Sequence, residues 1–301
     1  MYMIMLKKLL IGLIIFCLVG CQSSNDTDYP TSGTPSPAQT EEEVLWPVTL
    51  ETNVLSDGNL AIIDYDSIQD GYVCAKLLQS VDGIKIQINK DDKKYNYDLS
   101  SLDYVAFPLN MGDGLYTLKI LQQIEGNRYA ICASQDVQVT LKNSNLPYLY
   151  PNQIVNYNSS SLVYSKSFEL VDGDEDDLTR VAHLFQYVVN ALDYDDDKAK
   201  NVSDSFHLPD IEGSLTSGKG ICFDYAASLA ALCRIQGIPA KVIVGWTDIE
   251  YHAWVEIYIE DKGWINPKIY FKKEKWNLVD PTFADSKNSD YEGKYEEVYH
   301  Y

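Results

Sequence analysis

Three side chains of this sequence are of types that together could do thiol chemistry on an amide: Cys222, His252 and Asp280. A cysteine thiolate is a soft nucleophile suited to an amide carbonyl. A histidine can take the thiol proton and later deliver one to the leaving amine. A carboxylate can hold the imidazole in one tautomer and stabilise its charged form. Gly218 to Gly237 reads as a glycine loop feeding an Ala/Leu-rich helix that stops at Gly237, so Cys222 falls in the first turn. Main-chain N–H groups and the positive end of the helix dipole favour thiolate there, and the Cys222 amide is a natural oxyanion donor. Gly220 offers room for a substrate backbone.

The elements that must position these groups follow from periodicity. Lys241–Trp246 and Tyr251–Ile259 read as strands. On the second, His252, Trp254, Glu256 and Tyr258 share one face, while Ala253, Val255, Ile257 and Ile259 share the apolar one. Trp276 to Thr282 reads as a strand ending in Asp280 at a proline turn. Trp246 and Trp254 are candidates to line a substrate channel, with plain packing as the competing reading. Upstream, Val181, Leu184, Phe185, Val188, Val189 and Leu192 form one helical face. The acidic run before it, with Asp172, Asp174 and Asp176 alternating, fails the EF-hand pattern: Asp177 stands at the glycine position and His183 at the bidentate glutamate position. Acids there suit a helix start instead. Asp193 and Asp195 to Asp197 read as a solvated turn. No metal or cofactor is expected.

The motifs Gly-Lys-Gly-Ile-Cys222-x-Asp-Tyr-Ala, Leu-Cys-Arg-x-x-Gly-Ile-Pro-Ala240, His252-Ala-Trp-Val-Glu256 and Val-Asp280-Pro-Thr, in that order, resemble the transglutaminase-like core of the cysteine acyltransferase and protease superfamily, over roughly residues 146–301. Leu192-Asp-Tyr-Asp195 fits the same resemblance. It implies an α+β fold and the roles of nucleophile for Cys222, base for His252 and orienting acid for Asp280. The stretch Asn266 to Lys275 departs from it, because the family's chain usually passes from a Gly-Trp strand almost directly to Asp-Pro-Thr.

Residues 44–142 carry a different signal, with period-2 segments at Leu60–Tyr65, Tyr72–Leu78, Ile84–Ile88, Tyr116–Leu121, Arg128–Cys132 and Val137–Leu141. Asp-Gly and Gly-Asn turns punctuate them, which predicts an antiparallel, immunoglobulin-like β-sandwich. Cys74 and Cys132 fall mid-strand and could be a disulfide or two buried thiols. Cys233 reads as core. A transglutaminase-like domain over 143–301 completes the chain.

The amino end reads as an address. Lys7 and Lys8 precede an apolar run, Leu9 to Val19, too short for a spanning helix but of the length of a signal-peptide core. It ends in Leu18-Val19-Gly20-Cys21, which resembles the lipobox of bacterial lipoproteins. Residues 1–20 are thus expected to be a lipoprotein signal peptide, Cys21 the lipid attachment point, and 21–43, rich in Ser, Thr, Pro and Gly, a flexible tether. That implies a membrane-anchored lipoprotein facing the extracytoplasmic side, at the cell surface or in the periplasm.

Composition excludes some partners. The 301 residues hold 44 Asp and Glu against 24 Lys and Arg, a net charge of −20. The first 20 residues contain two of the lysines and no acid, so the remainder is more acidic still. Such a surface repels phosphate backbones and gives no basic patch for anionic lipid, so nucleic acid is not expected as a partner. A protein or peptide substrate is. Three readings stay open: an active thiol enzyme on amide bonds, by hydrolysis or transamidation; a binding or adhesive lipoprotein that docks a protein or glycan on the same scaffold; and a structural envelope component.

Overall fold

The computed structural model describes residues 34–171, 173–201, 207–247, 251–260, 262–265 and 294–301, together with the backbone of 271–272 and 275–276. It is a mixed α+β molecule. The first half forms two four-stranded antiparallel sheets. One has the order β1 (Val54–Ser56), β2 (Ala61–Asp64), β3 (Tyr72–Leu77), β6 (Val105–Pro108). The other has the order β5 (Lys93–Leu99), β4 (Ile84–Lys90), β7 (Gly114–Glu125), β8 (Arg128–Val139). Alternating residues of each, including Ile63, Val73 and Phe107 on one and Ile86, Tyr97, Leu118 and Val139 on the other, meet in a shared core. The Tyr97 and Phe107 rings lie 4.9 Å apart. Two segments read separately, Arg128–Cys132 and Val137–Leu141, are one twelve-residue strand. β1, β5 and β6 gave no recognised signal.

The second half is helical and then β. Helices α1 (Leu162–Leu170), α2 (Asp177–Ala191), α3 (Asp196–Asn201), α4 (Ile211–Ser217) and α5 (Cys222–Ile235) precede strands β11 (Ala240–Thr247), β12 (Tyr251–Ile259), β13 (Gly263–Ile265) and β16 (Tyr295–His300). These four strands form one antiparallel sheet in the order β13-β12-β11-β16. The backbone pairs Phe271–Lys272 (β14) and Lys275–Trp276 (β15) make a two-rung antiparallel ladder. Helix α5 is buried over nearly its whole length and packs on β11 and β12.

Asp176 caps α2, accepting from the Leu178 and Thr179 amides at 3.1 and 3.2 Å, so the acidic run does start a helix. The acids at 193–197 form something more ordered than a solvated turn. Asp193–Tyr194 is a short strand (β9) paired in parallel with Lys219–Gly220 (β10), and Asp196 and Asp197 open α3. At the far end of α5, Gly237 takes φ +71°, its amide bonds to Arg234 O and that of Ile238 to Cys233 O. This is a Schellman stop, which a side chain at 237 would strain.

Within residues 34–43, read as the end of a flexible tether, Ser36 and Pro37 contact the helical half. Ser36 pairs with Glu175. The buried Arg180 donates to the carbonyls of Ser36 and Pro37, because a guanidinium out of water needs acceptors. The core is continuous across both halves: Tyr95 and Tyr97 of β5 pack on Tyr301. Among the described residues no helix is long and apolar enough to cross a membrane.

Candidate active site

Cys222 is the first residue of α5 and is half-buried. The chain reaches it through a tightly held loop. Gly218, in the left-handed region at φ +71°, ends α4. The Asp193 and Asp195 amides of the neighbouring segment then donate to Gly218 O at 2.8 Å and Gly220 O at 2.9 Å. The segment resembling the family's Leu-Asp-Tyr-Asp thus contributes main-chain donors that fix the approach to the cysteine. Ile221, the N-cap, extends the chain, and its carbonyl accepts from the Asp224 and Tyr225 amides at 2.8 and 3.1 Å. In a trans peptide the N–H opposes the C=O. The Cys222 N–H is therefore directed off the start of the helix, where an oxyanion donor is needed.

Asp224 is fully buried and accepts three hydrogen bonds: from Ile221 N at 2.8 Å, from Asp210 N at 2.9 Å and from Lys198 Nζ at 2.6 Å. Tyr225 donates its hydroxyl to Leu192 O at 2.7 Å, tying α5 to the end of α2. Gly220 is buried in β10, and a Cβ there would lie 2.9 Å from Asp224 Cβ. Packing of Asp224 against this loop is by itself a reason for glycine.

His252 lies on β12, which has the bounds the alternation predicted. It is 1% exposed and stands opposite Gly245 of β11. Ala253, Val255, Ile257 and Ile259 join the core, as their shared face requires. α5 and β12 pack directly on one another, so the helix that begins at Cys222 and the strand that carries His252 belong to one packed unit. Asp280 lies outside the described residues, as does Cys21.

The two tryptophans differ. Trp246 is 55% exposed with its ring 5.0 Å from that of Tyr251. Trp254 is buried, opposite Ile243, with its ring 4.9 Å from Tyr295 of β16. Its ring therefore reaches across β11 to β16.

The remaining described thiols have other environments. Cys74 and Cys233 are buried, and burial pushes the Cys74 thiol up to about 12 and that of Cys233 higher still. Cys132 is partly buried and its thiol is also raised. All four described cysteines are free, so Cys74 and Cys132 form no disulfide. Among the described residues no group of His, Cys, Asp or Glu could hold a metal ion.

Sequence reasoning missed Lys198 and Arg234 as structural partners, and the strand β16. Arg234, 1% exposed, donates to the main-chain oxygens of Tyr150, Ala240 and Tyr301. An arginine near the end of an Ala/Leu-rich helix was the available signal. The acid-rich Tyr295–His300 segment offered little.

The chain is similar over an alignment of 90 residues, at 29% identity, to the uncharacterised protein YebA of Bacillus subtilis (strain 168). That match covers 23% of this chain and 12% of YebA, so this chain accounts for a small part of that relative's length. Among solved structures, a TGase is 22% identical with a TM-score of 0.29, covering 34% of this chain and 28% of that one. A candidate cysteine protease from Cytophaga hutchinsonii is 13% identical with a TM-score of 0.33, covering 83% and 90%. Residues 164–281 match the model of the transglutaminase-like superfamily. With Cys222 and His252 both inside that span, the chain carries a transglutaminase-like domain.

Proposed function

We propose that this protein is a thiol acyl enzyme acting on amide bonds of a protein or peptide substrate. Cys222 attacks the carbonyl carbon and the C–N bond breaks. The amine leaves with a proton from His252, and the acyl group remains as a thioester. Asp280 holds the imidazole in the required tautomer. Water, activated by His252, then releases the acid and restores the thiol, which makes the reaction peptide or isopeptide hydrolysis. An amine in place of water would give transamidation. The oxyanion meets the outward Cys222 N–H. Trp246, with its exposed ring, and Gly220 are candidates to border the acyl-binding groove. In this reading the protein is lipidated at Cys21 and works on the extracytoplasmic side of a membrane, at the end of what remains of the tether.

The observation that carries the reading is the position of Cys222. It is the half-buried first residue of a buried helix packed on the His252 strand, whereas Cys74 and Cys233 are sealed in the core. A helix start favours thiolate.

Iodoacetamide labelling of the protein and of Cys222→Ala, from pH 5 to 9, tests it. One thiol should label faster than the others at neutral pH, and the mutant should lack it. Uniformly slow labelling that rises only at high pH would sink the proposal. A labelled primary amine offered with a glutamine-containing protein separates the two outcomes of the thioester: incorporation would refute the hydrolytic assignment.

A further inference from the structure

Two charged groups near Cys222, one of them buried, form a pair that the reaction described above does not use. Asp224 Oδ2 takes the Ile221 amide and the Lys198 ammonium, and Oδ1 takes the Asp210 amide. The carboxylate is buried, while the lysine side chain is 29% exposed. Lys198 belongs to α3, and Asp210 caps α4 by accepting from Gly213 N at 2.9 Å. One carboxylate therefore joins three segments: α3, the start of α4, and the residue before Cys222.

The placement has an electrostatic consequence. Asp224 lies two residues from Cys222 on the first turn of α5. An unneutralised carboxylate there would oppose a thiolate on the same turn and would cancel part of what the helix start provides. The 2.6 Å contact with Lys198 removes that opposition and leaves the carboxylate free to do a geometric task. With Asp224 N bonded to Ile221 O and its carboxylate bonded to Ile221 N, the peptide units on both sides of Ile221 are pinned. The Cys222 N–H is held pointing off the helix.

We propose that Asp224 and Lys198 are positioning residues of the thiol site: Asp224 fixes the Ile221–Cys222 main chain, and Lys198 neutralises Asp224 so that a negative charge can develop at Cys222. This rests on Cys222 being the nucleophile. Neither residue touches the substrate; both act through the helix start.

The test uses the full chain, with iodoacetamide as probe, and Lys198→Met, Lys198→Arg and the double variant Lys198→Met/Asp224→Asn. Circular dichroism and thermal melting report the fold. Lys198→Met leaves a buried carboxylate unpaired, and its Cys222 labelling at pH 6.5 should fall about tenfold, with recovery at high pH. Lys198→Arg should keep the rate within about twofold. The double variant loses both charges but keeps one acceptor oxygen for the Ile221 or Asp210 amide, so it should regain part of the lost rate although it carries more substitutions. That recovery distinguishes charge compensation from simple damage to the fold, which would be additive or worse. If wild-type Cys222 labels fast and Lys198→Met labels at the same rate over the same pH range, the inference is overturned while the nucleophile stands. The inference is equally overturned if the double variant is no faster than Lys198→Met. If wild-type Cys222 shows no enhanced labelling at all, the nucleophile assignment falls, and this inference falls with it.

Discussion

Gly245 of β11 stands directly across the antiparallel ladder from His252 of β12, and on its other side it lies against β16. The register of β11 with β16 shifts between Val244 and Gly245. A Cβ at position 245 would lie 2.0 Å from Glu296 O and 2.9 Å from Glu296 C. Those are main-chain atoms, so no rotamer change can relieve the contact and β16 would have to withdraw. Gly245→Ala should therefore cost about 2 kcal/mol or more. It should also slow the thiol chemistry by disturbing the strand that holds His252. Urea denaturation and Cys222 alkylation check this together. Wild-type stability in the alanine variant would show that the close approach of β16 is dispensable.

Cysteine accessibility should separate sharply. Cys74 sits on β3 and Cys233 in the middle of α5, both buried with thiols raised by desolvation. In the native protein an aromatic disulfide reagent should modify Cys222 first and Cys132 slowly. Cys74 and Cys233 should wait for global unfolding. Mass spectrometry with and without prior reduction should give the same thiol count for these four residues. Rapid native-state modification of Cys233 would contradict the packing of α5.

Much of the site unit was legible because its signals are local. β12 reads directly from strict alternation, and its bounds match. The face of α2 follows from helical spacing. Cys222 at a helix start follows from glycines before it and Ala/Leu after it. What was not legible depends on partners far away in sequence. Lys198 is separated by 26 residues from Asp224, and Arg234 by 84 from Tyr150 and 67 from Tyr301. Nothing within a window of a dozen residues marks such pairings. Residues 34–43 have the composition of a tether, yet Arg180 recruits the carbonyls of Ser36 and Pro37. Composition describes what a segment can do alone, not which buried donor will claim it. Asp280 was read from an intact Asp-Pro-Thr and lies outside the described residues.

A pH effect should appear at β16. Glu297 Oε1 lies 2.6 Å from His300 Nδ1, and His300 Nε2 lies 2.9 Å from Asn110 O. The hydrogen bond from His300, and then its charge, hold the Glu297 carboxyl below its usual 4.5. For a carboxylate lowered in the folded state, the unfolded chain binds more protons in that range. The stabilisation is therefore present above 4.5 and is lost as pH falls through the folded value. Glu297→Gln should lower the melting temperature at pH 7, and the two melting curves should converge as acid protonates the carboxyl in the folded state. A difference independent of pH would mean that packing, not the ionised pair, is responsible.

The largest single loss of stability should come from Arg234. Its guanidinium is 1% exposed, and burial draws it down to about 10, so it still carries its charge at neutral pH. Nε and Nη2 donate to Ala240 O at 3.0 and 2.8 Å, Nη1 to Tyr150 O at 2.7 Å, and Nη2 to Tyr301 O at 2.9 Å. One side chain thus ties the segment entering the helical half, the start of β11 and the residue after β16 to the Cys222 helix. Arg234→Met keeps the apolar stem and removes every side-chain donor: Tyr150 O and Ala240 O lose the partners that Arg234 supplies, while Tyr301 O keeps the Val242 amide at 3.0 Å. The expected cost is about 3–5 kcal/mol, much of a small domain's margin. Arg234→Lys keeps the charge but not the planar fork, and a single ammonium cannot serve oxygens on three sides. Lysine should therefore recover less than half of the loss. Urea midpoints for the three proteins, with unchanged m-values, decide it. Full rescue by lysine would show that charge, not the geometry of the fork, is what the core requires at this position.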